Sequence, residues 1–309
     1  MKEGALIRFL LVALPAGLLI LGVGAVFYSQ IQAQKEPADP NEKIRLEAAV
    51  LQQRPVGEAD LSRSLEILSN RLGDRDSGKA EDLEKAAFWL ESTLGGGNIG
   101  YLVERQGFEL PGRELRNLVA ELPGRGRRDE IIVVGAPYDA ADGDAALASF
   151  LALARAFAGE SQDRTVRFVA FVEGVPELEP ESRGGYHYAM RCRSRGEKVV
   201  AMMSMERIEV AGVRGQVEFS GDESARYLID SAKGAFTRVA SRPVFGGVVA
   251  DDAFAAAQGT AAGISLAGIP VVRVAETSSA IGPVYATDLQ SLVDVTRGLE
   301  QIVRAWANP

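Results

Sequence analysis

The sequence predicts a three-layer α/β domain built on a mostly parallel sheet. Short β-branched runs alternate with helical segments through most of the 309 residues, and several runs are apolar at every position. Such strands are buried on both faces, and strands separated by helices pair in parallel with helices on each side. We expect one domain over residues 59–309, because no internal repeat or change of composition divides this part of the chain.

The elements follow the hydrophobic pattern from residue 61 onward. Leucines at helical spacing predict two helices that end near Gly73 and Gly95. The later apolar runs predict strands, most of them followed by a helix. The predicted strands cover 117–122, 130–136, 165–172, 199–206 and 269–276, and the predicted helices lie near 145–158, 185–195, 223–239 and 292–306.

The N-terminal residues predict a membrane anchor. Phe9 to Tyr28 are twenty consecutive residues without a charge, which give about 30 Å of helix, or one bilayer crossing. A cleaved signal peptide is the alternative, but its apolar core is normally about 7 to 15 residues long. We expect a cytoplasmic tail over 1–8, a transmembrane helix over 9–28 and a stalk over 29–58.

Charge and topology suggest a location and exclude one class of partner. Arg8 abuts the span on a very short tail and a large domain follows, which favours a cytoplasmic N-terminus and an extracytoplasmic domain. The 34 basic and 42 acidic residues give a net charge of −8, which argues against a nucleic-acid partner. We therefore expect a single-pass protein of the inner (plasma) membrane, with a periplasmic domain that contacts the lipid bilayer and membrane-protein partners.

Four segments follow predicted strands, where open α/β sheets carry their sites. They are GAPYDA (135–140), FVEGVPE (171–177), SMERIE (204–209) and GPVYAT (282–287). Together with RNLVAELPG (116–124) and TVRFVAFV (165–172), they resemble in order and separation the motifs of metallopeptidase family 28, the zinc aminopeptidases. The resemblance extends from about Leu61 to Trp306 and implies the three-layer fold of zinc exopeptidases.

The resemblance also implies a two-zinc site, of which this chain keeps little. Family members bind zinc through a His, a bridging Asp, a Glu of a Glu-Glu pair, a further acidic residue and a late His, and the other Glu is the general base. Here the residues at the two His positions and at the Glu-Glu pair have no ligand atom in the side chain: Pro137, Ala286, Gly174 and Val175.

Three acidic residues remain at matching positions. By the resemblance, Asp142 matches the bridging ligand, Glu206 the fourth ligand, and Asp139 the residue that orients the missing His. A shift of one residue in the alignment would let Glu173 act as a ligand. We expect a vestigial site with no catalytic residue, no metal and no cofactor, in which Asp142 and Glu206 are only weak candidate ligands.

Other residues offer weaker alternatives. A hard cation such as Ca²⁺ or Mg²⁺ could gather carboxylates from Asp142, Asp144, Glu206, Asp251 and Asp252, although Asp144 suits a helix N-cap. The sole histidine, His187, is expected to be a partly exposed helical residue. Ser265 lies in GISLAG, which lacks the spacing and the base of a nucleophile elbow, so core packing is favoured. Cys192 lies between two arginines that could lower its pKa, but an ordinary helical cysteine is favoured.

Three functions are compatible with this pattern. The leading hypothesis is a membrane-anchored pseudopeptidase that binds a partner or acts as a scaffold in a membrane complex. An active metal-dependent hydrolase with a remodelled site is a second hypothesis. A receptor that binds peptides in the old cleft without cleaving them is a third.

Overall fold

The structure is a computed structural model, and it describes residues 53–72, 75, 79–110, 112–139, 143–173, 179–208, 216–256, 259–277 and 289–309. All of them belong to one compact unit, Ile44–Pro309. The predicted span over 9–28 lies outside the described residues. No helix within the described ranges is long and apolar enough to cross a membrane.

Eight strands and eight α-helices form the described part of the domain. The strands are β1 (Val103–Leu110), β2 (Arg113–Leu122), β3 (Glu130–Pro137), β4 (Thr165–Phe171), β5 (Lys198–Arg207), β6 (Gln216–Ser220), β7 (Val244–Phe245) and β8 (Val271–Thr277). The helices are α1 (Glu58–Ile67), α2 (Ala80–Leu94), α3 (Asp144–Phe157), α4 (Gly184–Ser194), α5 (Arg226–Phe236), α6 (Asp251–Ala255), α7 (Thr260–Leu266) and α8 (Leu289–Ala307).

The strands form a single sheet in the order β1-β2-β4-β3-β5-β8-β6-β7. The four central strands, β4, β3, β5 and β8, run parallel to one another. On one side β2 joins β4 antiparallel and β1 joins β2 antiparallel, and on the other side β6 joins β8 antiparallel. The predicted parallel sheet is therefore correct for the centre, where the apolar runs lie, and antiparallel strands extend it at both margins.

Alternation along β3 shows why its sequence is apolar after Glu130. Ile132, Val134 and Ala136 point into one layer of the core, and Ile131 and Val133 point into the other. The first layer is formed with α1, α2, α3, α5 and α8, and the second with α4, α6 and α7. Because both faces of the strand are covered, neither face has a polar stripe.

The predicted helices and central strands are present, with small changes of boundary. The helix predicted near 223–239 is a 3₁₀ turn, Glu223–Ala225, followed by α5, Arg226–Phe236. Strands β1, β6 and β7 were not predicted. β1 reads VERQGFEL and buries only two of its eight residues, so its sequence lacks the apolar run that identifies the central strands.

Candidate functional site

The candidate site lies where β3, β4 and β5 end, at the carboxyl edge of the parallel strands. Asp139 follows β3, Glu173 follows β4, and Glu206 is the penultimate residue of β5. Three adjacent parallel strands therefore bring three acidic residues to the same edge of the sheet, as the sequence predicts. The charges of Asp139 and Glu206 both act on Glu173.

Asp139 holds the end of β4. It is buried, and both of its carboxylate oxygens accept a hydrogen bond from the backbone N–H of Glu173, at 3.1 and 3.0 Å. The neighbouring Tyr138 donates its backbone N–H to the carbonyl of Phe171 at 2.8 Å. Asp139 therefore ties the loop after β3 to the loop after β4.

Glu173 is a carboxyl group held largely in its neutral form. Burial raises its pKa to about 8, and the negative charge of Asp139 adds to the effect. Thr260 Oγ1 donates a hydrogen bond to Oε1 at 2.5 Å, whereas the buried Oε2 has no hydrogen-bond partner among the described groups. The positive charge of Arg183, which is itself buried, opposes the upward shift. At neutral pH most Glu173 side chains therefore carry a proton.

Glu206 is ionically paired inside the protein. Arg273 Nε, from the neighbouring strand β8, donates to Oε2 at 2.7 Å, and the backbone N–H of Ala261 donates to Oε1 at 2.8 Å. The Glu206 side chain is only 9% exposed. A Cβ atom on Gly259, whose φ is +113°, would lie 2.4 Å from the Glu206 carboxylate. This position therefore requires glycine both for its backbone conformation and for the close approach.

The beginning of α7 closes the site from one side. Thr260 bonds Glu173, and the next residue, Ala261, bonds Glu206. Sequence reasoning did not identify Thr260, Arg183 or Arg273 as members of this site. Arg273 lies in a predicted strand beside β5, and a charged residue within an otherwise apolar run is the signal that could have drawn attention to it.

Several predicted positions lie outside the described residues: Asp142, Gly174, Val175 and Ala286. Pro137 is described. It is the last residue of β3, is buried, and pairs in register with Phe171 of β4. Its side chain has no atom that could bind a metal, and it contributes only packing.

The described residues do not fit a zinc ion. No group of three or more His, Cys, Asp or Glu side chains within the described ranges could hold a metal. The oxygens of Glu206 and Asp139 accept hydrogen bonds from protein donors, and Glu173 is largely protonated. Zinc ligands must be deprotonated, and the positive charge of Arg273 beside Glu206 would oppose a bound cation.

The alternative in which a cluster of carboxylates holds a hard cation is not supported by its described members. Asp144 Oδ2 accepts from Ser69 at 2.7 Å, and its Oδ1 pairs with the buried Arg75. Asp251 Oδ1 accepts from the backbone N–H of Glu223 at 3.3 Å, and Asp252 bonds the adjacent backbone N–H. The N-cap role expected of Asp144 is also wrong, because the cap is Gly143 and Asp144 is the first helical residue. Its carboxylate is drawn to Arg75 instead.

The remaining candidates behave as structural residues. His187 is a partly exposed residue of α4, as predicted, and its ring stacks on Phe108 with 4.3 Å between centroids. Burial lowers the pKa of His187. Ser265 lies on α7, and its hydroxyl donates to the buried Asp222. The neighbouring Ile264 is part of the core, so the prediction of a packing role for this segment agrees with the structure.

The alternative that Cys192 is a low-pKa thiol is wrong. Burial raises its pKa to about 12. The flanking arginines do not face the sulfur, because Arg191 pairs with Glu104 at 2.8 Å and Arg193 donates to the carbonyl of Ala267 at 2.9 Å. Cys192 is a fully buried helical residue.

Comparison with known proteins identifies the fold. No protein-family model matches the chain, and no curated protein matches it. Among solved structures, it resembles the LapA aminopeptidase of Legionella pneumophila with a TM-score of 0.66 and 14% identity, covering 88% of this chain and 76% of that one.

Two Bacteroidales structures are also similar. A leucine aminopeptidase precursor from Bacteroides thetaiotaomicron has a TM-score of 0.63 and 13% identity, covering 81% of this chain and 98% of that one. A Zn-dependent exopeptidase from Parabacteroides distasonis has a TM-score of 0.60 and 14% identity, covering 81% and 99%. At these identities the likeness shows the fold alone, and the chain has a zinc-exopeptidase-like fold.

Proposed function

We propose that this chain is a degenerate member of metallopeptidase family 28, a membrane-anchored pseudopeptidase that acts as a binding or scaffold subunit of a membrane-protein complex. The fold is that of zinc exopeptidases. The family assignment rests on the order of the motifs from RNLVAELPG to GPVYAT, and the anchor rests on the uncharged residues from Phe9 to Tyr28.

One observation carries the proposal: the acidic residues retained at the edge of the sheet are bound to the protein itself. Glu206 is occupied by Arg273 and by the Ala261 N–H, and Asp139 by the Glu173 N–H. The positive charge of Arg273, 2.7 Å from the Glu206 carboxylate, would oppose a metal ion at this position. Loss of the family's metal-dependent hydrolysis follows from that arrangement.

The second support is the way in which negative charge is balanced at this edge. In a zinc site the ions would offset the buried carboxylates. Here Arg273 offsets Glu206, and Glu173 is largely protonated because burial raises its pKa to about 8. The charge of Glu206 is therefore balanced by Arg273, and Glu173 is largely neutral, without a metal ion.

The test is elemental analysis of the full chain, purified in mild detergent without chelator and then offered zinc, calcium and magnesium. We expect less than about 0.1 equivalent of any of these ions per chain, because a structural or catalytic zinc site would fill almost completely. Peptide hydrolysis should be absent under the same conditions. Fractionation of the same cells tests the proposed anchor. The chain should remain in the membrane fraction after an alkaline carbonate wash.

Matched variants make the result decisive. Asp142→Ala removes the retained bridging position, and Asp252→Ala removes an exposed carboxylate that bonds only its neighbouring N–H among the described groups. Neither substitution should change the metal content. One ion per chain that is lost in Asp142→Ala but kept in Asp252→Ala would overturn the proposal in favour of an active, remodelled hydrolase.

A further inference from the structure

We propose that a cleft at the junction of α1, α2 and α3 binds an oxyanion of the phosphate type, either free or as the headgroup of an anionic lipid. The cleft has a volume of about 210 Å³, several times the ~30 Å³ that one water occupies in the liquid. Asp139, Glu173 and Glu206 are not among the residues that line the cleft, so the cleft is distinct from the candidate site.

The cleft is lined by cationic and neutral side chains and by no carboxylate. Three arginines contribute, Arg54 from the segment before α1, Arg63 from α1 and Arg155 from α3. This concentration of positive charge is notable in a chain whose net charge is −8. The nearest acidic partner, Asp60, is committed to Arg155 at 2.7 Å and lies 3.6 Å from Arg54. Two positive charges are therefore left in excess.

Several hydrogen-bond donors at the cleft are unused. Within the described ranges, Arg63 has no carboxylate at ion-pair distance and the Ser64 hydroxyl has no hydrogen-bond partner, although both residues line the cleft. Asn98 accepts from Arg155 Nη2 through its carbonyl oxygen at 3.0 Å, which leaves its amide N–H groups as donors. Arg155 Nε is buried without a partner in the described structure. Unused donors beside excess positive charge favour an oxyanion, which accepts from several N–H and O–H groups at once.

The apolar residues that line the cleft indicate which kind of ligand would fit it. Trp89 and Ile67 give the cleft an apolar wall beside the arginines. A phosphate ester with a small organic group would place its charged oxygens on the arginines and its carbon atoms against this wall. A bare phosphate would contact only the arginines. Both ligands would therefore bind through their phosphate oxygens.

The lipid headgroup is considered as a source because Arg54 lies 26 positions after Tyr28, the last residue of the predicted span. This part of the inference depends on the proposed anchor, whereas binding of a free oxyanion does not, so the two can fail separately.

The experiment measures thermal unfolding of the full chain in non-ionic detergent at neutral pH. Potassium phosphate is compared with potassium chloride at equal ionic strength, and short-chain phosphatidylglycerol is compared with short-chain phosphatidylcholine. A ligand at about ten times its Kd should raise the Tm by about 3 °C in a domain of this size. Arg63→Gln should weaken binding about tenfold, because it removes a charged hydrogen bond without breaking an ion pair.

Arg226→Gln is the control, since Arg226 is an exposed arginine on α5 that pairs with Glu223 and has no contact with the cleft. It should keep the full shift. A shift with phosphate indicates a free-oxyanion site, and a shift with phosphatidylglycerol at concentrations where phosphate is ineffective indicates a headgroup site. The proposal is overturned if neither ligand shifts the Tm, or if Arg63→Gln and Arg226→Gln respond alike.

Discussion

The parallel strands carry buried charge at both of their ends. At the end where they begin, Arg167 of β4 bonds Glu121 and Glu197, each at 2.7 Å, and its guanidinium is 8% exposed. Burial opposes ionisation of Glu197, but the hydrogen bond and charge of Arg167 lower its pKa. At the end where the strands finish, burial raises the pKa of Glu173 to about 8.

The difference lies in how completely each acid is paired. Arg167 directs its donors at two carboxylates and also bonds the hydroxyl of Tyr188 at 3.1 Å. Glu173 receives one hydrogen bond, from a neutral hydroxyl, and lies in the field of Asp139 and Glu206. The beginning of the strands thus resembles an ordinary structural ion-pair network. The edge where the strands finish keeps an acid without a strong cationic partner.

Removing Arg167 should have the largest effect on this contrast. Arg167→Met keeps most of the side-chain volume but leaves Glu121 and Glu197 without their shared cation. We expect the free energy of unfolding to fall by about 3 kcal/mol, because breaking a largely buried ion pair leaves an uncompensated charge. Denaturant unfolding at neutral pH measures the change.

Arg226→Met provides the matched comparison, since Arg226 and Glu223 are each more than 60% exposed. It should leave the free energy of unfolding almost unchanged, because exposed ion pairs contribute little. Adding Glu197→Gln to Arg167→Met should recover part of the loss by removing one unpaired charge. Equal costs for Arg167→Met and Arg226→Met would show that the network contributes nothing beyond surface pairing.

Glu173→Gln should alter the pH dependence of stability more than stability itself. The ordinary Glu pKa is 4.5, and in the folded chain it is about 8. Between these values the folded state binds more protons than the unfolded state, so stability falls as the pH rises from about 4.5 to about 8. The slope from one such group is at most about 1.4 kcal/mol per pH unit. Glutamine removes that slope.

The measurement is the free energy of unfolding of the parent and of Glu173→Gln across this pH range. The difference between the two curves should grow in favour of the variant toward pH 8. Glu223→Gln is the control, because Glu223 is exposed and Arg226 lowers its pKa. Parallel curves for the parent and Glu173→Gln would mean that Glu173 is ionised throughout, and the two ends of the strands would then differ less than we infer.

The sequence predicts the central strands and helices because their burial determines where apolar residues occur along the chain. β3 and β4 are apolar at nearly every position, since both faces are covered, and the helices between them repeat every three to four residues. Strand β1 was missed because it carries three charged residues in eight and lies at a margin of the sheet. Its stability comes from pairing with β2, which a local pattern cannot reveal.

The same distinction applies to the site. Asp139 and Glu206 were placed at strand ends from the sequence alone, because they follow or end predicted strands. Their partners were not, because Arg273 and Ala261 lie 67 and 55 residues from Glu206. The sequence therefore places these carboxylates in the fold, whereas their hydrogen bonds to protein donors appear only in three dimensions.

Cys192 gives the smallest expected effect and tests the charge balance where the strands begin. Its Sγ lies 3.9 Å from Arg167 Nη1. A thiolate there would add a third negative charge around one arginine. Burial instead raises the pKa of the thiol to about 12, so at pH 8 the thiolate should be about 1000-fold scarcer than for an ordinary cysteine of pKa ~8.5.

The folded chain should therefore react with an uncharged alkylating reagent at least about 1000-fold more slowly than the chain in denaturant, where Cys192 is exposed. Arg167→Met separates the effect of burial, which raises the thiol pKa, from the effect of the Arg167 charge, which lowers it. If burial dominates, the thiol stays unreactive in any Arg167→Met molecules that remain folded, because the variant removes a charge that favours the thiolate. Rapid labelling of the parent protein would instead mean that Arg167 supports a thiolate, and the beginning of the strands would then hold a reactive group and not a closed ion-pair network.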